Sequence, residues 1–177
     1  MRYDDCPLPI LGFCAFSGTG KTTLLSQLIP ILVANGVRIA MIKHAHHAFD
    51  IDHPNKDSYR LRQAGAKQML ISSANRWALM HDHESEEDEA SLAELIQQLD
   101  FNAADLILVE GFKKEPIAKI ELHRPSLNLP LICEKDDHVI AIASDEKLDV
   151  KQDIPQLNLN NPDEIAQFIL KTVFAQA

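Results

Sequence analysis

Cysteine is scarce in this chain: Cys6, Cys14 and Cys133 are far apart and odd in number, which excludes a disulfide framework and a CxxC metal knuckle. Positive charge is also in deficit. Seventeen Lys and Arg stand against 26 Asp and Glu, for a net charge of −9 with histidines neutral. Binding nucleic acid through a general basic surface, or docking on anionic lipid, is therefore not expected, although local basic sites remain open. No long hydrophobic run is present: the longest, residues 10–16, has seven residues where a bilayer span needs ~20. The start, Met1-Arg2-Tyr3-Asp4-Asp5 leading into Cys6-Pro7, has neither the basic n-region nor the apolar h-region of a leader. The expectation is a cytoplasmic protein with no membrane and no nucleic-acid partner. Internal repeats are lacking, and the most biased tract is the acidic stretch 82–89.

What is there suffices for a substantial core. The 177 residues are 46% hydrophobic, which reads as one domain over residues 1–177. Residues 10–16 form an unbroken apolar segment, the pattern of a strand covered on both faces in a parallel sheet. A helix follows, with Leu24, Leu25, Leu28, Ile29 and Leu32 at three- and four-residue spacings and Asn35-Gly36 as its stop. Pro30 inside it predicts a kink near the fourth turn, because it cannot bond the Ser26 carbonyl. Further strands are predicted at 37–42, 106–109, 117–122 and 139–143. Helices are predicted at 57–64, along Leu92, Leu95, Ile96 and Leu99, and from 163 to about 174 after an Asn161-Pro162 start. Segments 69–72 and 77–80, joined by Ser73-Ala74-Asn75-Arg76, predict an antiparallel hairpin. The fold class is α/β: a P-loop NTPase-type, mostly parallel sheet flanked by helices, plus that hairpin.

Between the first strand and the first helix lies Ala15-Phe16-Ser17-Gly18-Thr19-Gly20-Lys21-Thr22-Thr23. It matches the last three positions of the phosphate loop (Walker A) G-x-x-x-x-G-K-[ST], with Ala15 in place of the first glycine. The replacement falls where the strand ends, whereas Gly18 and Gly20 supply the backbone freedom that turns successive N–H groups toward phosphate. In this motif Lys21 bridges the β- and γ-phosphates, Thr22 places its hydroxyl on Mg²⁺, and the helix N-terminus adds partial positive charge. A glycine-rich turn that binds nothing is the bland alternative.

Such a loop needs a carboxylate at a neighbouring strand tip. Asp105-Leu106-Ile107-Leu108-Val109-Glu110-Gly111 ends in one, and Glu110 is the candidate, against the alternative of a solvent-facing acid. Asp105 lies about five strand residues, or ~16 Å, from that tip. After the second strand, Lys43 and His44 are candidates for phosphate or substrate contacts, since ligands of doubly wound sheets bind beyond the carboxyl strand ends. The loop continues through His46, His47, Asp50, Asp52 and His53; its composition suits a first-row metal, but its spacing fits no defined zinc pattern. There is no Asn-Lys-x-Asp guanine motif. Asp145, after the strand at 139–143, is either the acceptor for guanine N1 and N2 or a turn residue.

Taken together, the loop 16–23, Ile42-Lys43-His44, Lys56-Asp57-Ser58-Tyr59-Arg60 leading to Ala64-Gly65-Ala66, Val109-Glu110-Gly111-Phe112-Lys113, and Lys119-Ile120 with Arg124 resemble the MobB family of molybdopterin-guanine dinucleotide biosynthesis. The match runs in order from about residue 10 to 145. The resemblance implies a GTP-binding, weakly hydrolysing homodimer using Mg²⁺, which assists a MobA-type guanylyltransferase in attaching GMP to molybdopterin. It assigns nucleotide to Ser17, Gly18, Thr19, Gly20, Lys21, Thr22 and Thr23, with metal at Thr22 and Glu110 and catalysis at Lys21 and Glu110. Lys43, His44 and Lys113 become candidate substrate or phosphate contacts, and molybdopterin itself a candidate ligand. The broader group includes dimeric ATPases with a second lysine in the loop; that position is Phe16 here, so no such trans-acting lysine is available. Two other functions fit: a non-hydrolysing GTP-binding adaptor, because no arginine finger or water-positioning glutamine stands beside Glu110, and a nickel or zinc metallochaperone GTPase using the histidine loop. A small-molecule kinase would need an arginine-rich lid, which is not evident.

Overall fold

The computed structural model describes residues 2–45, 49–85, 89–150 and 153–174. The chain divides into two compact units, Met1–His44 with Leu92–Ala177, and Ala45–Ser91.

The larger unit is built on a six-stranded parallel sheet. Its strands are β1 (Ile10–Cys14), β2 (Ile39–Lys43), β5 (Leu106–Glu110), β6 (Lys119–His123), β7 (Val139–Ser144) and β8 (Gln156–Asn158). They lie in the order β2-β5-β1-β6-β7-β8. The strands with unbroken apolar sequence are covered on both faces, as expected of parallel sheets. On one face Leu11, Phe13, Leu106, Leu108, Ile120 and Leu122 pack with α1 (Lys21–Ala34) and α4 (Pro162–Phe174). On the other, Ile107 and Val109 pack with Leu92 and Ile96 of α3 (Leu92–Ile96). The period-2 alternation along β5 thus serves two cores.

Several boundaries differ from those the sequence predicts, each for a local reason. β1 ends at Cys14, because Ala15 and Phe16 already belong to the phosphate loop. β2 begins only at Ile39, because Arg38 turns to Asp105: its backbone N–H and its Nε each donate to Asp105 at 2.9 Å. α1 continues through Pro30 to Ala34, with both Pro30 and Ser26 exposed, so the carbonyl that loses its helical bond lies on the wet side. α3 stops at Ile96. Just beyond it, two residues bond three back, Gln98 N–H to Leu95 O and Leu99 N–H to Ile96 O, in a tightened last turn. α4 begins at Pro162 after Asn161, whose side-chain oxygen accepts from the Glu164 N–H. β8 was not anticipated: Gln-Leu-Asn carries no apolar run.

The smaller unit holds α2 (Asp57–Gln63) and the hairpin of β3 (Gln68–Ser72) and β4 (Trp77–His81), antiparallel as expected and forming a separate two-stranded sheet. Among the described residues, no helix is long and apolar enough to cross a membrane.

Candidate functional site

Parallel pairing brings the carboxyl ends of β2, β5, β1, β6 and β7 to one edge of the sheet, and with them nearly every candidate residue. The phosphate loop leaves β1 there. Gly18 and Gly20 have φ of 82° and 102°, in the left-handed region where a side chain is strained. Between them Thr19 is buried and its hydroxyl donates to Phe16 O at 2.9 Å, which fixes the loop from inside. Ser17, Gly18, Thr22 and Thr23 are exposed, and α1 starts at Lys21, so its first N–H groups open onto the loop. This is the geometry that binds phosphate. The Lys21 ammonium donates to two carbonyls of its own loop, Ala15 O at 3.2 Å and Phe16 O at 3.3 Å. Burial pushes its pKa down and repulsion from Lys113 adds to this, while Glu110 pulls the other way.

Glu110 sits at the tip of β5, level with Phe13 of β1 and with Lys43 of β2. It is buried, and Lys43 Nζ reaches its two carboxylate oxygens at 3.1 and 3.3 Å. A carboxylate in this position accepts a compact cation, here the Lys43 ammonium. Asp105, set aside as too far away, is indeed taken up elsewhere: Arg38 holds it in a bidentate pair, with contacts of 2.6 and 2.9 Å, at the opposite end of β5.

The chain turns sharply after Glu110. Gly111 and Phe112 both have positive φ, 96° and 49°. His44 N–H donates to Glu110 O at 2.8 Å, and the His44 ring lies 5.0 Å from that of Phe112. The turn carries Lys113 back over the phosphate loop, where its ammonium is 4.9 Å from the centre of the Phe16 ring, a cation–π contact. The position without a loop lysine therefore has a lysine over it, supplied by a different segment. Lys113, Lys43 and Glu110 all act electrostatically on Lys21, which makes a local cationic focus in an acidic chain.

On the other flank, β6 and β7 are in register at His123 and Ser144, so Arg124 and Asp145 emerge side by side. Arg124 Nε donates to Thr19 O at 3.0 Å and Nη1 to Asp145 Oδ2 at 2.6 Å. Asp145 Oδ1 is buried without a hydrogen-bond partner. Sequence reasoning singled out both residues but not their pairing. The available signal was their equivalent position one residue past neighbouring strands.

The histidine loop divides. His44 belongs to the site; His46 and His47 lie outside the described residues. Asp50 and Asp82 bind the buried Arg62, each at 2.9 Å, and Ser58 donates to Asp52 at 3.0 Å. Among the described residues no group of three or more His, Cys, Asp or Glu is placed to hold a metal.

Comparison with known proteins gives one answer. The sequence model of MobB, molybdopterin guanine dinucleotide synthesis protein B, matches residues 10–145. The molybdopterin-guanine dinucleotide biosynthesis adapter protein of Escherichia coli (strain K12) is 49% identical over 165 residues, covering 93% of each chain. That of Haemophilus influenzae (strain ATCC 51907 / DSM 11121 / KW20 / Rd) is 43% identical over 162 residues, covering 92% of this chain and 88% of its own. Among solved structures, a molybdopterin-guanine biosynthesis protein B superposes with a TM-score of 0.72 at 27% identity, covering 93% of this chain and 99% of its own. Bacillus subtilis MobB gives 0.73 at 25% identity over 94% and 98%.

Proposed function

The chain belongs to the MobB family, and from that premise we propose that it is a GTP-binding adapter of molybdopterin guanine dinucleotide synthesis. In this reading it binds GTP with Mg²⁺ and hydrolyses it weakly while assisting a MobA-type guanylyltransferase to attach GMP to molybdopterin. The observation that carries nucleotide binding is the open phosphate loop with Lys21 at its base and Glu110 at the adjoining strand tip. When bound, Mg²⁺ offsets charge on the β- and γ-phosphates. Thr22 and Glu110 are the residues that would hold the ion or its water, Glu110 exchanging the Lys43 ammonium for it. Lys43 is then free to meet an anionic group, and with Lys113 and His44 it forms the face offered to an acceptor such as the phosphate of molybdopterin.

Slow hydrolysis agrees with how the cations are held. Arg124 is committed to Thr19 O and Asp145, so it is not free to stabilise a transferring phosphoryl group. A homodimer is supported by the hairpin, whose Leu70, Trp77 and Leu79 are 62%, 63% and 43% exposed; an apolar face of this kind calls for a covering surface.

Calorimetry with GTP and magnesium on the wild-type chain and Lys21→Ala tests the core of this reading. The charge-assisted contact to the β- and γ-oxygens has no substitute at the loop base, so the expected loss is 100-fold or more, on the order of 3 kcal/mol. Unchanged GTP affinity in Lys21→Ala would show that the phosphate loop is not the binding site.

A further inference from the structure

We propose that Lys119 is a positioning residue: its buried ammonium clasps the turn that carries Lys113, and so seats the Lys113 charge over the phosphate loop. Its effect on GTP rests on the nucleotide-binding reading above; the clasp itself does not. Lys119 opens β6 in register with Gly12 of β1, and it is only 1% exposed. Its side chain passes over Gly12, where a Cβ would lie 2.7 Å from Lys119 Cγ, so this crossing requires glycine. An ammonium taken out of water needs an acceptor for each of its three N–H groups. Lys119 meets three: Lys113 O at 3.2 Å, Glu115 O at 2.6 Å and Asp136 Oδ2 at 2.7 Å.

The ion pair with Asp136 offsets the buried charge, whereas the two carbonyls fix the course of the turn. That turn needs a hold. Phe112 has φ of 49°, a conformation costly for a residue with a side chain, and such conformations persist only where the surroundings over-determine them. Glu115 N–H donates to Phe112 O at 3.0 Å, and the Tyr3 hydroxyl donates to the Glu115 carboxylate, so the far end of the turn is tied as well. Asp136 is itself set by the His138 backbone N–H, which donates to Oδ1 at 3.0 Å. Between these anchors stands Lys113, half-buried, with its ammonium 4.9 Å from the centre of the Phe16 ring and close enough to repel Lys21. A lysine whose backbone is already fixed meets a phosphate with less ordering cost than one on a loose loop.

The test combines proton–carbon NMR of the Lys113 side chain, GTP binding with magnesium, and thermal melting to check folding. The ring current of Phe16 shifts the Lys113 ε-methylene signal upfield, and loss of that signal in Lys113→Arg identifies it. Lys119→Met keeps the apolar stem and removes the ammonium. Adding Asp136→Asn removes the carboxylate charge left stranded, which protects folding, and keeps an acceptor for His138. In both variants the ε-methylene signal should move to the position of an exposed lysine. Lys113→Ala should weaken GTP about tenfold, the scale of one charge-assisted contact. The Lys119→Met, Asp136→Asn chain should lose a similar factor, and adding Lys113→Ala to it should cost nothing more, because both act through one charge. If neither Lys119 variant folds, Gly12→Ala, which presses on Lys119 Cγ and leaves the ammonium's partners in place, decides by the same signal. A folded variant that keeps the wild-type Lys113 signal overturns the proposal, as does unchanged GTP affinity in Lys113→Ala or losses that multiply in the combined variant. A wild-type chain that binds no guanine nucleotide overturns the nucleotide reading and the GTP effect with it, while the NMR signal still decides the clasp.

Discussion

At the residue scale the site depends on a few backbone positions as much as on its charges. Gly111 is the clearest. It follows Glu110 with φ of 96°, and a Cβ built there would lie 2.6 Å from the Cβ of His44, with His44 N and Cα at 3.5 and 3.6 Å. The clash is with the root of a neighbouring residue, which cannot swing aside as the end of a long side chain can. Gly111→Ala is therefore expected to cost about 2–5 kcal/mol, combining left-handed strain with overpacking. Urea denaturation measures it, and a change below about 1 kcal/mol would show that the turn relaxes freely. In the sequence Gly111 was legible only as a marker beside an acid, because the partner that forbids a side chain is His44, just past the end of β2 and 67 positions earlier. Lys113 was named as a phosphate candidate, but its seat on Phe16 depends on the two positive-φ residues before it, which no local pattern announces. The buried thiols show the same dependence on context. Burial pushes Cys14 up to about 12 and Cys133 up to about 11, with Glu121 reinforcing both, so neither is poised as a nucleophile.

At the element scale, the parallel strands were legible because burial on both faces leaves an unbroken apolar run, as in β1 and β5. β8 has no such run, and strand order is set by contacts that a linear pattern does not record. The starts of β2 and β5 are joined by a device of the same kind. Arg38 donates to Asp105 through its backbone N–H, Nε and Nη2, and the Asp105 and Leu106 N–H groups donate back to Arg38 O at 2.8 and 3.2 Å. These bonds from Arg38 hold the Asp105 carboxyl at about 2, against its ordinary 3.8. Because the folded value is depressed, the pair's stabilising contribution is complete above pH ~4 and is lost as pH falls through 3.8 toward 2. Asp105→Asn removes that contribution. Thermal melts of the two proteins should therefore differ at pH 7 and converge between pH 4 and pH 2; a gap that stays constant over that window would show that the carboxylate does not titrate with folding.

At the scale of the whole molecule, the charge arithmetic and the site run in opposite directions: a chain of net charge −9 gathers Lys21, Lys43 and Lys113 at one sheet edge. Composition argues against a general basic surface while leaving the local focus to be found from motifs. The smaller unit poses a different problem. In its hairpin Leu70 pairs with Leu79 and Ser72 with Trp77, so Leu70, Trp77 and Leu79 share one face, while Met69, Ile71, Ala78 and Met80 share the other. Met80 is 7% exposed, whereas Leu70 and Trp77 are each more than 60% exposed, so large apolar side chains stand on the outward face as well. Two-stranded sheets are marginal alone in water, and large exposed apolar side chains on one face mark an association surface. A second copy of this chain is the occupant the family resemblance implies, and an isologous contact would let each hairpin cover the other. Trp77→Asp puts a charge on that face in place of its largest exposed side chain. Sedimentation velocity should find a dimer for the wild type and a monomer for Trp77→Asp, with GTP affinity preserved in the variant if phosphate-loop binding does not require the partner. A wild-type chain sedimenting as a monomer at tens of micromolar, or a Trp77→Asp variant that remains dimeric, would remove the hairpin face from the assembly.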